Sequence, residues 1–130
     1  MDLNQSSLII KNDYGHLVSR VIPTPSDRNS GGSIFGGWIL TQIDIAASLA
    51  AIDYCKGRVS TKSVNNVDFK KPIFHNSLVD IYAKIKKTGK TSMYFDINVF
   101  STTNKGDNYL AVTAEMVFVK INDQRKPTRL

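Results

Sequence analysis

The sequence carries one cysteine and two histidines in 130 residues. Cys55 alone excludes an intramolecular disulfide, and with His16 and His75 scattered along the chain there is no ligand cluster spaced for a structural metal. No metal is expected, and a reducing cytoplasm is the expected compartment. The opening residues Met1-Asp2-Leu3-Asn4-Gln5 lack the basic start and apolar stretch of a secretory leader. Long apolar runs are missing as well. The most apolar segment, Ile34 to Ile52, is interrupted by Gln42, Asp44 and several small residues, which makes a poor membrane span. A soluble protein is expected.

Acidic residues are the minority, 11 against 17 Lys and Arg, giving a net charge of +6. That surplus favours an anionic partner: nucleic acid, an acidic membrane or a phosphorylated small molecule. The basic residues are spread along the chain (Lys70, Lys84, Lys90, Lys120, Arg129) and are not interleaved with aromatics, which argues against nucleic acid. With 42% apolar and 22% charged residues the composition is that of a folded globular protein. The length suits a single domain spanning 1–130, with 1–15 and 123–130 expected as flexible termini.

A first short strand is expected around Leu17 to Ile22, ended by Pro23 and Pro25, with a loop from Pro23 to Ser33. From Ile34 to about Lys56, apolar residues recur at helical spacing (Ile39, Ile43, Ala46, Ala47, Ala50), and Gly57 supplies a stop. Strict alternation then marks strands at Val79 to Ile85, Met93 to Val99 and Leu110 to Phe118, with Val59 to Lys70 a weaker candidate. Turn signals separate them at Lys87-Thr88-Gly89-Lys90 and Asn104-Lys105-Gly106-Asp107. The order is strand, loop, helix and four strands: an α+β domain with one long helix on an antiparallel sheet. Exposed sheet edges are commonly resolved by pairing two subunits, so a homodimer is expected.

Chemistry concentrates between Pro25 and Asp44. The loop is glycine-rich and leads directly into the helix, whose first turn presents unpaired N–H groups at the positive end of the helix dipole. Amides near Gly36 and Gly37 suit an oxyanion or a phosphate, while the same glycines equally suit close packing. Asp44 is the odd residue of the helix, set among Leu40, Thr41, Ala47 and Ser48. An exposed or hydrogen-bonded aspartate is the ordinary explanation; a carboxylate in a partly dry interface is also suited to a general base or nucleophile.

Pro25-Ser26-Asp27-Arg28-Asn29, Gly32, Phe35-Gly36-Gly37-Trp38 and Asp44 together resemble the signature of YciA-type acyl-CoA thioesterases. The resemblance continues through Gly57-Arg58-Val59, Phe69-Lys70-Lys71-Pro72 and Gly89-Lys90-Thr91-Ser92, from about Arg20 to Arg125. It implies the hotdog fold, a long central helix wrapped by a five-stranded antiparallel sheet, assembled as dimers and as hexamers built from three dimers. It implies hydrolysis of acyl-CoA to a free acid and coenzyme A, at a site on the dimer interface. Asp44 would be general base or nucleophile, Asn29 would reach across from the second subunit, and the amide of Gly37 or its neighbour Gly36 would hold the oxyanion. Arg58, Lys71 and Gly89, Lys90, Thr91 and Ser92 would contact coenzyme A. Neither metal nor redox cofactor is implied, and coenzyme A enters only as part of substrate and product. Whether Asp44 works through water or a covalent anhydride, and which acyl chain is preferred, stay open; Ile34, Trp38, Leu40 and Tyr54 are candidates for lining the acyl tunnel.

Competing readings are weaker. Gly89-Lys90-Thr91 is like the end of a P-loop, but Lys84 stands where that motif needs its first glycine and a strand pattern follows. His16 and His75 lack the Phe-Pro-Gly context of hydroxyacyl dehydratases and read as surface or structural residues. Cys55 reads as a small buried apolar residue, and the basic tail 124–129 as solvated chain. A non-catalytic acyl-CoA-binding module, or another hotdog acyl-CoA enzyme, is the alternative reading.

Overall fold

A computed structural model describes residues 12–130. After a 3-10 turn at Asn12–Tyr14 come β1 (His16–Val21), a second 3-10 turn at Pro25–Asp27, α1 (Gly36–Cys55), β2 (Arg58–Phe69), β3 (Leu78–Thr88), β4 (Ser92–Thr102) and β5 (Asn108–Ile121). The strands form one five-stranded sheet in the order β1-β3-β4-β5-β2, with every pairing antiparallel. Each expected element is present. The strands are longer than their alternating cores, because the sheet continues past the buried residues.

The helix begins two residues later than its apolar run suggests. Ile34 and Phe35 are claimed by the preceding loop, their N–H groups donating to the carbonyls of Ile73 (2.8 Å) and Asp27 (3.0 Å). It ends at Lys56, which takes the left-handed conformation (φ 53°, ψ 42°) and donates its N–H to Ile52. Gly57, expected as the stop, follows immediately, and a Cβ there would meet only the movable end of the Lys120 side chain, at 2.9 Å from Cε.

Ile39, Ile43, Ala46, Ala47 and Ala51 bury the sheet-facing stripe of α1 against Val79, Ile81, Ile97, Val112, Met116 and Phe118. The three alanines let the helix approach the sheet, and each fully buried large side chain contributes about 1.5–3 kcal/mol. The opposite flank is apolar too: Leu40, Ile45, Leu49 and Ile52 are exposed in the single chain, Ile45 by 51% and Leu49 by 50%. Apolar side chains exposed together on a helix flank mark a surface that a partner can cover.

The edge strand β2 alternates poorly in sequence because its register with β5 shifts twice, between Thr61 and Ser63 and between Asn65 and Asp68. Asn66 sits in the second shift with φ 50°. On the outer face of the sheet, Asn66 and Lys86 both hydrogen-bond to the Glu115 carboxylate. At the other edge, the buried Asp80 accepts from Arg20, with Nη2 to Oδ2 at 2.7 Å.

Flexible ends are expected at 1–15 and 123–130. Residues 1–11 lie outside the described residues, while Tyr14 packs edge-on against Phe100 at 5.0 Å. The tail 123–130 turns back along β5, because the Asn122 side chain offers an acceptor to the amides of Gln124 and Lys126 (both 3.0 Å). Thr128 then donates to the Lys120 carbonyl and Leu130 to that of Lys90.

Candidate active site

Asp44 lies on the exposed flank of α1 and accepts a hydrogen bond from Thr61 Oγ1 at 2.8 Å. Thr61 faces the helix because it pairs with Phe118, a core residue, and the bulge that follows displaces Lys62. The carboxylate is thus tied to the edge strand. No signal in the sequence marks Thr61: its role depends on register and on a bulge, neither of which a local pattern reports.

At the helix start the N-cap position is Phe35, with no side-chain cap. The first backbone donor with a partner is Trp38, to the Phe35 carbonyl at 3.1 Å. The amides of Gly36 and Gly37 find none among the described residues, so they are available to an oxyanion. The two glycines differ in their reason. A Cβ on Gly36 would meet the Phe69 ring at 3.3 Å, whereas one on Gly37 would meet nothing within 4 Å. Gly36 answers to packing; Gly37 leaves open space at the helix start.

Gly37 and Asp44 are seven positions apart (44 minus 37), two helical turns, so they share a face about 10 Å apart along the axis at about 1.5 Å per residue. Helical side chains lean toward the N-terminus, which narrows that gap.

Asn29 organises the loop in its own chain. Its Oδ1 accepts from the amides of Gly31 (2.9 Å) and Ser33 (3.3 Å), and its Nδ2 donates to Ser33 Oγ at 3.1 Å. The basic residues expected at coenzyme A divide between opposite ends of β2. Arg58 lies where β2 begins, 3.9 Å from Asp123, near the 89–92 turn, whose Thr91 carbonyl accepts from Lys120. Lys71 lies beyond the far end, its ammonium 5.5 Å from the centre of the Tyr109 ring. Strand length alone, at about 3.3 Å per residue, separates the two by roughly 40 Å within one chain. A cavity of about 450 Å³ lies away from Asp44, on another flank of the helix, between Leu49 and Tyr54 and strands β1 and β3.

Residues 31–107 match the sequence profile of the thioesterase superfamily. The chain is 34% identical over 120 residues to the acyl-CoA thioester hydrolase YciA of Salmonella typhimurium, covering 89% of this chain and 90% of that one. It belongs to the YciA-type acyl-CoA thioester hydrolases. A hexameric thioesterase from Yersinia pestis superposes with a TM-score of 0.86 at 37% identity, covering 89% of this chain and 95% of that one. A hexameric hotdog fold thioesterase of Campylobacter jejuni superposes with a TM-score of 0.84 at 32% identity and 92% coverage of both chains. The YciA-type fold is therefore the hotdog, as the long helix on a five-stranded antiparallel sheet requires. In this thioester hydrolase the matched segment contains Gly36, Gly37, Asp44, Arg58, Lys71 and the 89–92 turn, while Asn29 lies just before it.

Proposed function

We propose that this chain hydrolyses acyl-CoA thioesters to the free acid and coenzyme A, with Asp44 as general base. The observation that carries the reading is the helix itself: open amides at Gly36 and Gly37, and a carboxylate two turns on, on the same face. The thioester carbonyl accepts from the Gly37 amide. A water held by Asp44 attacks the carbonyl carbon, its proton passes to the carboxylate, and the oxyanion forms against the helix start. Collapse expels the coenzyme A thiolate, which recovers that proton. Direct attack by the carboxylate is disfavoured by the spacing, which suits an intervening water better than contact. Thr61 is a positioning residue that fixes Asp44 from β2.

The reading includes self-association. β2 leaves one edge unpaired, and beside it lies the apolar outer flank of α1 with Val64 and Phe69 exposed. Antiparallel pairing of two β2 strands satisfies that edge and buries the flank. It also brings Lys71 of a second copy alongside Arg58, reuniting the basic residues that one chain separates, and lets the Asn29 loop of one copy approach Asp44 of the other. Assembly into three such dimers follows the hexameric relatives. The enzyme works in the cytoplasm with no metal or redox cofactor, because water and a carboxylate suffice for a leaving group as good as a thiolate.

The test is thiol release by the purified wild-type chain from short, medium and long acyl-CoAs. Turnover that varies with chain length supports the hydrolase and gives its preference. Saturable binding across the panel with no thiol released refutes hydrolysis and leaves an acyl-CoA-binding module.

A further inference from the structure

The edge strand β2 meets the flank of α1 at both ends of the array that runs from Gly36 to Asp44. Thr61 reaches Asp44 at one end. At the other, a Cβ built on Gly36 would lie 3.3 Å from Phe69 Cζ and 3.5 Å from Cε1, so the edge of that ring stands against the first turn of the helix. The β2 bulges put it there. Thr61, Val64 and Phe69 pair with Phe118, Met116 and Val112, all core residues, so all three face the helix even though successive ones are an odd number of positions apart. A regular strand would send alternate members of that row to the outer face.

Phe69 is on the inner face of the sheet, yet it is 48% exposed in the single chain, and Val64 and Leu40 are exposed with it. Leu40 shares the helix face of Gly37 and Asp44. A half-open aromatic ring beside the turn that carries the oxyanion amides stands next to whatever is bonded to a carbonyl held there. A thioester carbonyl carbon carries an alkyl group on one side and sulfur on the other. The alkyl side suits this surface: packed on Phe69, Val64 and Leu40 it loses only water, whereas the pantetheine arm brings amides that these side chains cannot satisfy. We infer that Phe69 is a specificity-determining residue, its ring the wall against which the acyl carbon next to the carbonyl packs. It admits a straight acyl group and obstructs one branched at that carbon. The inference rests on the hydrolase reading above and deepens it by naming the class of acyl group.

The test is thiol release from butyryl-CoA, its branched isomer isobutyryl-CoA and the longer straight-chain octanoyl-CoA. Wild type, Phe69→Leu and Phe69→Ala are compared, with assembly and thermal unfolding checked in all three; leucine keeps an apolar side chain at the position should alanine disturb the fold. One carbon against an apolar wall is worth about 10- to 200-fold in kcat/KM. Wild type should therefore favour butyryl- over isobutyryl-CoA by at least about tenfold, Phe69→Ala should reduce that ratio by about tenfold, and Phe69→Leu should fall between. The ratio of octanoyl- to butyryl-CoA should stay put, because the ring stands at the carbonyl end of the chain. A merely structural role would lower every kcat/KM alike and leave both ratios unmoved. That result, a wild type indifferent to branching, or variants that shift the chain-length ratio in place of the branching ratio, overturns the inference while the hydrolase reading stands. A wild type that releases no thiol from any of the three fails the hydrolase reading, and the inference falls with it.

Discussion

Replacing Thr61 with valine removes one hydroxyl from Asp44 and changes little else, because the two side chains have nearly the same shape. In the single chain the pair is exposed, with Oγ1 donating to Oδ1 at 2.8 Å. A hydrogen bond to a charged group contributes about 1.5–3 kcal/mol, and solvent around this pair places it at the low end. If the whole effect falls on the position of the base during attack, about 1.4 kcal/mol becomes a tenfold loss in rate. The expected result is therefore kcat lower by about tenfold in Thr61→Val with KM little changed, since Thr61 positions the base and does not hold the substrate. Thr61→Ser keeps the donor and should stay within about threefold of wild type. Steady-state thiol release from one good acyl-CoA substrate measures both. Wild-type kcat in Thr61→Val, or a serine variant as slow as the valine one, would refute the idea that this hydroxyl orients the base.

Other expectations follow from the same geometry. Asp80→Ala removes the carboxylate that accepts from Arg20 at a position only 1% exposed, and should lower stability in urea unfolding by about 3 kcal/mol with activity per folded molecule retained. Gly37→Ala meets no neighbouring atom, so stability should hold or rise by up to about 1 kcal/mol while thiol release falls, the methyl group occupying space the thioester needs. The hydrogen bond from Asn66 and the charge of Lys86 hold the Glu115 carboxyl below its ordinary 4.5. A depressed carboxyl stabilises fully above its unfolded value and loses that contribution as pH falls through the folded one. The stability difference between wild type and Glu115→Gln should thus be constant from pH 8 to about 5 and shrink only in more acidic buffer.

How much of this was legible in the sequence varied with the range of the interactions. The helix and three of its strands announce themselves because one face of each is buried without interruption, so period and burial coincide in Ile39 to Ala51 and in Met93 to Val99. β2 does not, since two bulges move its residues from one face to the other and an edge strand has less to bury. Its chemistry was hidden for the same reason: Thr61 meets Asp44 only through that register. The helix ends where the sequence places it, at about Lys56, but the left-handed residue that closes it is Lys56 and not the adjacent Gly57. The tail is exposed, as its composition suggests, while the Asn122 side chain, accepting from two amides, turns it back along β5, a path that composition does not report. Asp44 stood out as a carboxylate in an apolar helix, but the separation of Lys71 from Arg58 follows from strand length and became visible only once β2 was seen to run unbroken from Arg58 to Phe69.

The most direct measurement is kcat for a preferred acyl-CoA in Asp44→Ala beside wild type, with the assembly state of both verified. Loss of a general base predicts a fall of at least about 10²-fold with the fold and oligomer unchanged. A folded, correctly assembled Asp44→Ala enzyme that turns over at the wild-type rate would contradict the account at its centre.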